Sequence, residues 1–167
     1  MANSSPSASS SRRAAREAAL RVLYMLEVGK PPTDEALEET IVANELDAAG
    51  ASFTRALVHA ILAHETTIDA IISEHAIGYP ADRQTVVDRS ILRLALAEIE
   101  HGIGELAHGI SANEAVELAK KYSTPEAARF VNGVLGAVIR QREARVKPVS
   151  GDDMLLQTAA LKEETDA

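Results

Sequence analysis

The stretch TVVDRSILRLALAEI, Thr85 to Ile99, decides the fold. Val87, Ile91, Leu92, Leu94, Leu96 and Ile99 spread apolar side chains around most of a helical circumference, well beyond the single stripe of a surface helix. Such a helix has little polar face to show water and belongs at the centre of an all-helical core. Thr85, with Asp88 three residues on, has the form of a helix-start cap. Arg89, Arg93 and Glu98 are the charged exceptions, and each needs a partner or an edge.

Working outward, helical periodicity dominates and strand-like alternation is nearly absent. Toward the N-terminus, Ala15, Ala19, Val22 and Leu26 make one stripe of a helix over Arg12 to Val28, closed by Gly29 and Pro31-Pro32. A second helix over Asp34 to Leu46 starts acidic, turns Leu37 and Ile41 inward, and ends at Ala49-Gly50. Ser52 is the expected cap of a third helix anchored by Phe53, Leu57, Ile61, Ile68 and Ile72, with Tyr79-Pro80-Ala81-Asp82 as the following turn.

Beyond the central stretch, Gly102 to Gly109 reads as a connection. Ser111-Ala112-Asn113-Glu114 has the spacing of a capping box, giving Ser111 and Glu114 a structural role at a helix start. Thr124-Pro125 offers a cap followed by proline at the first helical position, opening a helix to Arg140 with Phe130, Val131, Val134, Leu135 and Val138. Gly133 and Gly136 cost helix propensity there, which close backbone packing or an approaching ligand would offset. The organisation is therefore a flexible segment over residues 1–10, a helical domain over 11–146 and an acidic tail over 147–167, with a short helix around Met154 to Leu161 as a further expectation.

Composition bounds the function. The 167 residues suffice for one core, and aromatics at only 3% leave it to Ala, Leu, Ile and Val. The chain has no cysteine, which excludes disulfides and thiolate metal sites and fits a reducing cytoplasm. Met1 to Ser11 lacks the apolar run of a signal peptide, and no segment has the uncharged length of a membrane span. A net charge of −8 argues against coating nucleic acid with the whole surface. Yet Met1 to Lys30 carries five basic against two acidic groups, and Ser111 to Val149 seven against four. If the fold joins these segments, they make a confined anion-binding face.

No phosphate-binding loop, dinucleotide fingerprint or nucleophile elbow is present. Glu38-Glu39 and Asp152-Asp153 are adjacent and do not converge as catalytic pairs do. His59 and His64 sit about 140° apart around a helix and make no compact metal pair. No metal, cofactor or catalytic residue is expected, and the chain reads as a binding protein rather than an enzyme. Arg12, Arg13 and Arg16 cluster on one helical flank, where guanidinium groups can engage phosphate or stack on a base. The other reading is a solvated face with Glu17 paired to Arg13 or Arg21. Lys120, Lys121 and Arg129 extend the basic candidates, and Phe130 reads as a core residue or an exposed stacking ring. Asn132 bonds across an interface or is simply solvated.

At these residues the chain resembles the bacterial NusB transcription antitermination family. The resemblance rests on Arg12-Arg13-Ala14-Ala15-Arg16-Glu17, on Val87 to Glu98, and on Asn113-Glu114-Ala115-Val116-Glu117-Leu118-Ala119-Lys120 followed by Arg129-Phe130-Val131-Asn132-Gly133. It spans Ser10 to Arg140. It implies a compact fold of about seven helices in two packed bundles. It also implies association with the small-subunit ribosomal protein that acts as NusE, and with that partner recognition of boxA RNA in nascent rRNA transcripts. The implied role supports rRNA transcription and maturation within the transcription elongation complex. By the same resemblance, Arg12, Arg13 and Arg16 are RNA-binding candidates and Phe130 a boxA contact, while Glu98 and Arg93 are candidates for the partner surface. Self-association into a homodimer is a further implication. The family usually has an aromatic where this chain has Ala97, and an apolar residue larger than Ala112. Two other readings stand beside this one: a protein-only helical scaffold, and a NusB-like module of an rRNA cytosine methyltransferase, which would need a downstream α/β domain that does not follow Arg145.

Overall fold

The computed structural model describes residues 8–79 and 83–146. Six helices follow in chain order: α1 (Ala8–Val28), α2 (Thr33–Ala43), α3 (Ala48–His75), α4 (Val86–His101), α5 (His108–Tyr122) and α6 (Pro125–Val146). Within α3 the backbone leaves helical geometry at His64 (φ −122°, ψ 20°), so that element is two helical segments joined across a kink. Counted as rods, the described residues form the expected seven. The kink falls where core anchoring lapses: Ile61 and Ile68 are buried, and Leu62 through Thr67 between them are exposed.

Helix α4 is the axle. Every residue from Ser90 to Ile99 is buried, and α1, α3, α5 and α6 all pack on it. Thr85 caps its start by accepting from the Asp88 amide at 3.1 Å, and Gly102 ends it in the left-handed region. On one side α1 and α2 pack with α3; on the other α5 and α6 form a hairpin against α4 and α3. Ala15, Ala18, Ala19 and Ala97 are fully buried, so helices approach through small side chains, as a core poor in aromatics requires.

Several local expectations are corrected. Helix α1 begins at Ala8, about a turn before the expected start at Arg12. Helix α3 is capped by Asp47, which accepts from the Gly50 amide at 2.7 Å, not by Ser52; Ala49-Gly50 lies in its first turn instead of breaking a helix. Helix α5 starts a turn before the capping box, at His108, with Ala107 ahead of it and no side-chain cap. Ser111 and Glu114 therefore sit inside the helix, and their hydrogen-bonding groups serve other helices. Thr124 does cap α6, accepting from the Ala127 amide at 3.0 Å, and that helix runs past Arg140 to Val146. A Cβ at Gly133 would meet nothing within 4 Å and one at Gly136 only the Arg140 side chain, so close backbone packing does not explain either glycine. Pro80 to Asp82, residues 1–7 and the 147–167 tail, with the short helix expected around Met154 to Leu161, lie outside the described residues.

Gly104, in the connection before α5, is a position only glycine fits. Its φ is +83°, and a Cβ there would come within 2.8 Å of the Phe53 ring. Its carbonyl receives the Arg12 guanidinium at 2.8 Å, tying the start of α1 to this loop.

Candidate nucleic-acid interface

The two locally basic segments meet. Arg13 and Arg16 on α1 line a groove with Lys120 and Lys121 on α5, together with Glu17, Glu114 and Glu117. Helix α5 crosses so that its last turn, carrying both lysines, lies against the first half of α1. The groove holds about 340 Å³.

Its cations are not free. Arg13 makes a bidentate pair with Glu114 at 3.1 and 2.8 Å. Lys121 reaches Glu17 at 2.8 Å, Tyr122 donates to the same carboxylate at 2.7 Å, and Lys120 pairs with Glu117 at 3.0 Å. Hydrogen bonding from Arg13 holds the Glu114 carboxyl below its ordinary range. For Glu17, burial pushes the pKa up, but the bonds from Lys121 and Tyr122 together outweigh it and the net direction is down. Lys121 is raised in turn by its bond to Glu17. Neither Arg13 nor Arg21 takes Glu17 as a hydrogen-bonded partner; α5 supplies it.

Arg16 is placed differently from its neighbours. It is only 3% exposed, and its Nε and Nη2 donate to the two Glu98 carboxylate oxygens at 2.7 and 2.9 Å. Ser111 donates to Glu98 Oε2 at 2.8 Å, so one buried carboxylate ties α1, α4 and α5 together. An exposed flank shared by Arg12, Arg13 and Arg16 is thus corrected: i to i+3 spacing holds, but α4 supplies a buried acceptor below Arg16. Arg12 bonds the Gly104 carbonyl, its guanidinium 5.5 Å from the Phe53 ring centroid, and Arg16 lies 5.3 Å from the same ring.

The same burial corrects Glu98 and Arg93 as exposed partner-facing groups. Glu98 is 4% exposed, and Arg93, 8% exposed, bridges Asp69 at 2.7 and 2.8 Å and Glu65 at 2.9 Å. Both charges are satisfied inside the fold. Ala97 is fully buried, so an aromatic ring at that position would occupy core rather than surface.

Arg129 is exposed and forms no ion pair among the described residues. Phe130 is half-buried, packed on the core and against Tyr79, ring centroids 4.6 Å apart. It is core residue and surface ring at once: it anchors α6 and keeps part of its face at the surface. Asn132 is exposed and makes no side-chain hydrogen bond among the described residues, which favours solvation over an internal bond.

An apolar groove that the sequence did not point to is lined by Leu20, Arg21, Tyr24, Met25, Val87 and Tyr122, with Tyr24 46% exposed. Glu17, Leu20 and Tyr24 recur at helical spacing along one flank of α1, which was the available signal. None of the described helices is long and apolar enough to cross a membrane.

Comparison with known proteins shows the family and the fold. Residues 13–140 match the model of the NusB family. The transcription antitermination protein NusB of Bacillus subtilis is 39% identical over 127 residues, covering 76% of this chain and 93% of that protein. That of Symbiobacterium thermophilum is 38% identical over 138 residues, covering 78% and 90%. Among solved structures, the antitermination factors NusB and NusE in complex with dsRNA include a chain 30% identical, with a TM-score of 0.70, covering 78% of this chain and 97% of that one. The crystal structure of T. maritima NusB has a TM-score of 0.71 at 29% identity, covering 77% and 90%.

Proposed function

The chain belongs to the NusB family, and on that premise we propose that it is a transcription antitermination factor that binds boxA RNA of nascent rRNA transcripts together with the ribosomal protein acting as NusE. The observation that carries the RNA half is the convergence of Arg13, Lys120 and Lys121 from distant parts of the sequence on one groove, with Arg129, which has no ion pair among the described residues, nearby on α6. A single strand laid along it exchanges its phosphates for the carboxylates of Glu114, Glu117 and Glu17. Arg16 contributes indirectly, by fixing α1 against α4 and α5. No step makes or breaks a covalent bond.

The apolar groove beside Tyr24 supports the protein half. It borders the basic groove along α1, so a partner seated on Leu20, Tyr24 and Val87 extends the surface available to the RNA. Glu98 and Arg93, buried and paired within the fold, offer no exposed charge to that contact.

The test is binding of boxA and scrambled single-stranded RNA, with and without the ribosomal protein, at several salt concentrations. Arg13→Ala/Lys121→Ala should weaken boxA binding and reduce the salt slope by about 0.7 for each phosphate no longer neutralised. Equal weak binding to every RNA, indifferent to the partner and to these substitutions, would remove the basis of the proposal.

A further inference from the structure

Between α5 and α6, next to the basic groove, lies a second groove of about 350 Å³ lined by Val116, Lys120, Pro125, Ala128, Arg129 and Asn132. Resting on the RNA-binding function proposed for the chain, we propose that this groove takes one unstacked nucleobase and that the Asn132 carboxamide reads its edge.

The lining has the two parts a base requires. Val116, Pro125 and Ala128 give an apolar floor for the ring face, with Ala128 itself buried. Asn132 and Arg129 give a polar rim, and neither has a side-chain partner among the described residues. In the neighbouring basic groove Arg13, Lys121 and Lys120 are held by carboxylates: Arg13 by Glu114, Lys121 by Glu17, Lys120 by Glu117. Two unpartnered polar side chains beside one apolar floor stand out against that pattern.

A carboxamide offers a donor and an acceptor side by side, the complement of the paired donor and acceptor on a base edge. A guanidinium beside it can stack on the same ring or hold the adjoining phosphate. Lys120 lines both grooves, so a strand whose phosphates follow Arg13 and Lys121 passes the mouth of this one. Single-stranded RNA is read by such splayed bases. A hydrophobic peptide side chain would use the floor but leave Asn132 unmatched.

The experiment uses the full chain and a fluorescein-labelled boxA oligonucleotide with an abasic site placed at each position in turn. Asn132→Ala should lower affinity for the intact RNA by about tenfold. A single abasic position should cause at least that loss in wild type and a smaller loss in the variant, which keeps only the floor contact. Because no phosphate contact is removed, the salt slope should stay that of wild type. Circular dichroism verifies that this exposed substitution leaves the fold intact. Unchanged affinity in Asn132→Ala, or losses that multiply at every abasic position, overturns the inference while leaving the RNA-binding function in place. A variant that loses the ribosomal protein but keeps RNA also overturns it. Wild type that binds none of the RNAs fails the proposed function itself, and this inference falls with it.

Discussion

Replacing Arg16 with methionine should unfold the protein more readily without acting mainly on RNA. The Arg16–Glu98 pair is bidentate at 2.7 and 2.9 Å, with side chains 4% and 1% exposed. Removing the guanidinium leaves Glu98 buried with Ser111 as its one remaining side-chain donor among the described residues. Breaking a buried pair from one side costs about 3–5 kcal/mol. Against a total stability of about 5–15 kcal/mol, that is a large share. With a urea slope of about 2 kcal/mol/M, the midpoint followed by circular dichroism should fall by about 2 M. The difference should persist in high salt, since a pair out of water is poorly screened. Arg16→Met/Glu98→Leu should recover much of the loss, because it removes both charges together. Arg13→Ala, by contrast, should leave the midpoint nearly in place and act on RNA affinity. An Arg16→Met protein with wild-type stability but no RNA binding would refute the structural role assigned to this arginine.

Gly104→Ala combines a φ of +83° with a 2.8 Å approach to Phe53, and should cost about 1–3 kcal/mol in urea denaturation. His101 stacks on His64 with ring centroids 4.0 Å apart, and burial followed by the neighbouring imidazole depresses its pKa below 6.5. A depressed histidine stabilises the fold above its unfolded pKa, so thermal stability should fall as pH drops below about 6.5; His101→Gln should flatten that part of the profile. Glu114 titrates below its ordinary 4.5, so the stability it contributes is present above that pH and lost as acid protonates it; the loss should shrink in Glu114→Gln. Mass measured across a concentration series decides the homodimer: a second species growing with concentration is expected, and a constant monomer mass rejects it.

Fold was more legible than site. Apolar residues around Thr85 to Ile99 mark α4 as central because burial on every side leaves no polar stripe, and local pattern alone records that. Thr85 and Thr124 were readable as caps since their side chains bond amides three residues on. Asp47 was hidden by the Ala49-Gly50 pair after it, which looks like a break although a first helical turn accommodates glycine; here a Cβ at Gly50 would lie 3.1 Å from Asp47 Oδ1 and 3.2 Å from Ser11 Oγ. In the candidate site, local charge pointed to two segments that the fold brings to one groove. What separates Arg13 from Arg16 is a carboxylate 82 residues from Arg16 along the chain, and spacing on one helix carries no information about what the next helix places beneath it. The same limit hid the His64–His101 stack and the groove beside Tyr24.

The ion pairs that fill the basic groove also set a minimum length for whatever binds there. A lone phosphate that displaces one carboxylate trades one pair for another and gains little. A strand presenting several phosphates in register can replace Glu114, Glu117 and Glu17 together while losing its translational freedom only once. On the proposed function the groove should favour polymer over monomer: nucleotides and inorganic phosphate should bind weakly, and affinity should rise steeply once an oligonucleotide is long enough to span from Arg13 to Lys121.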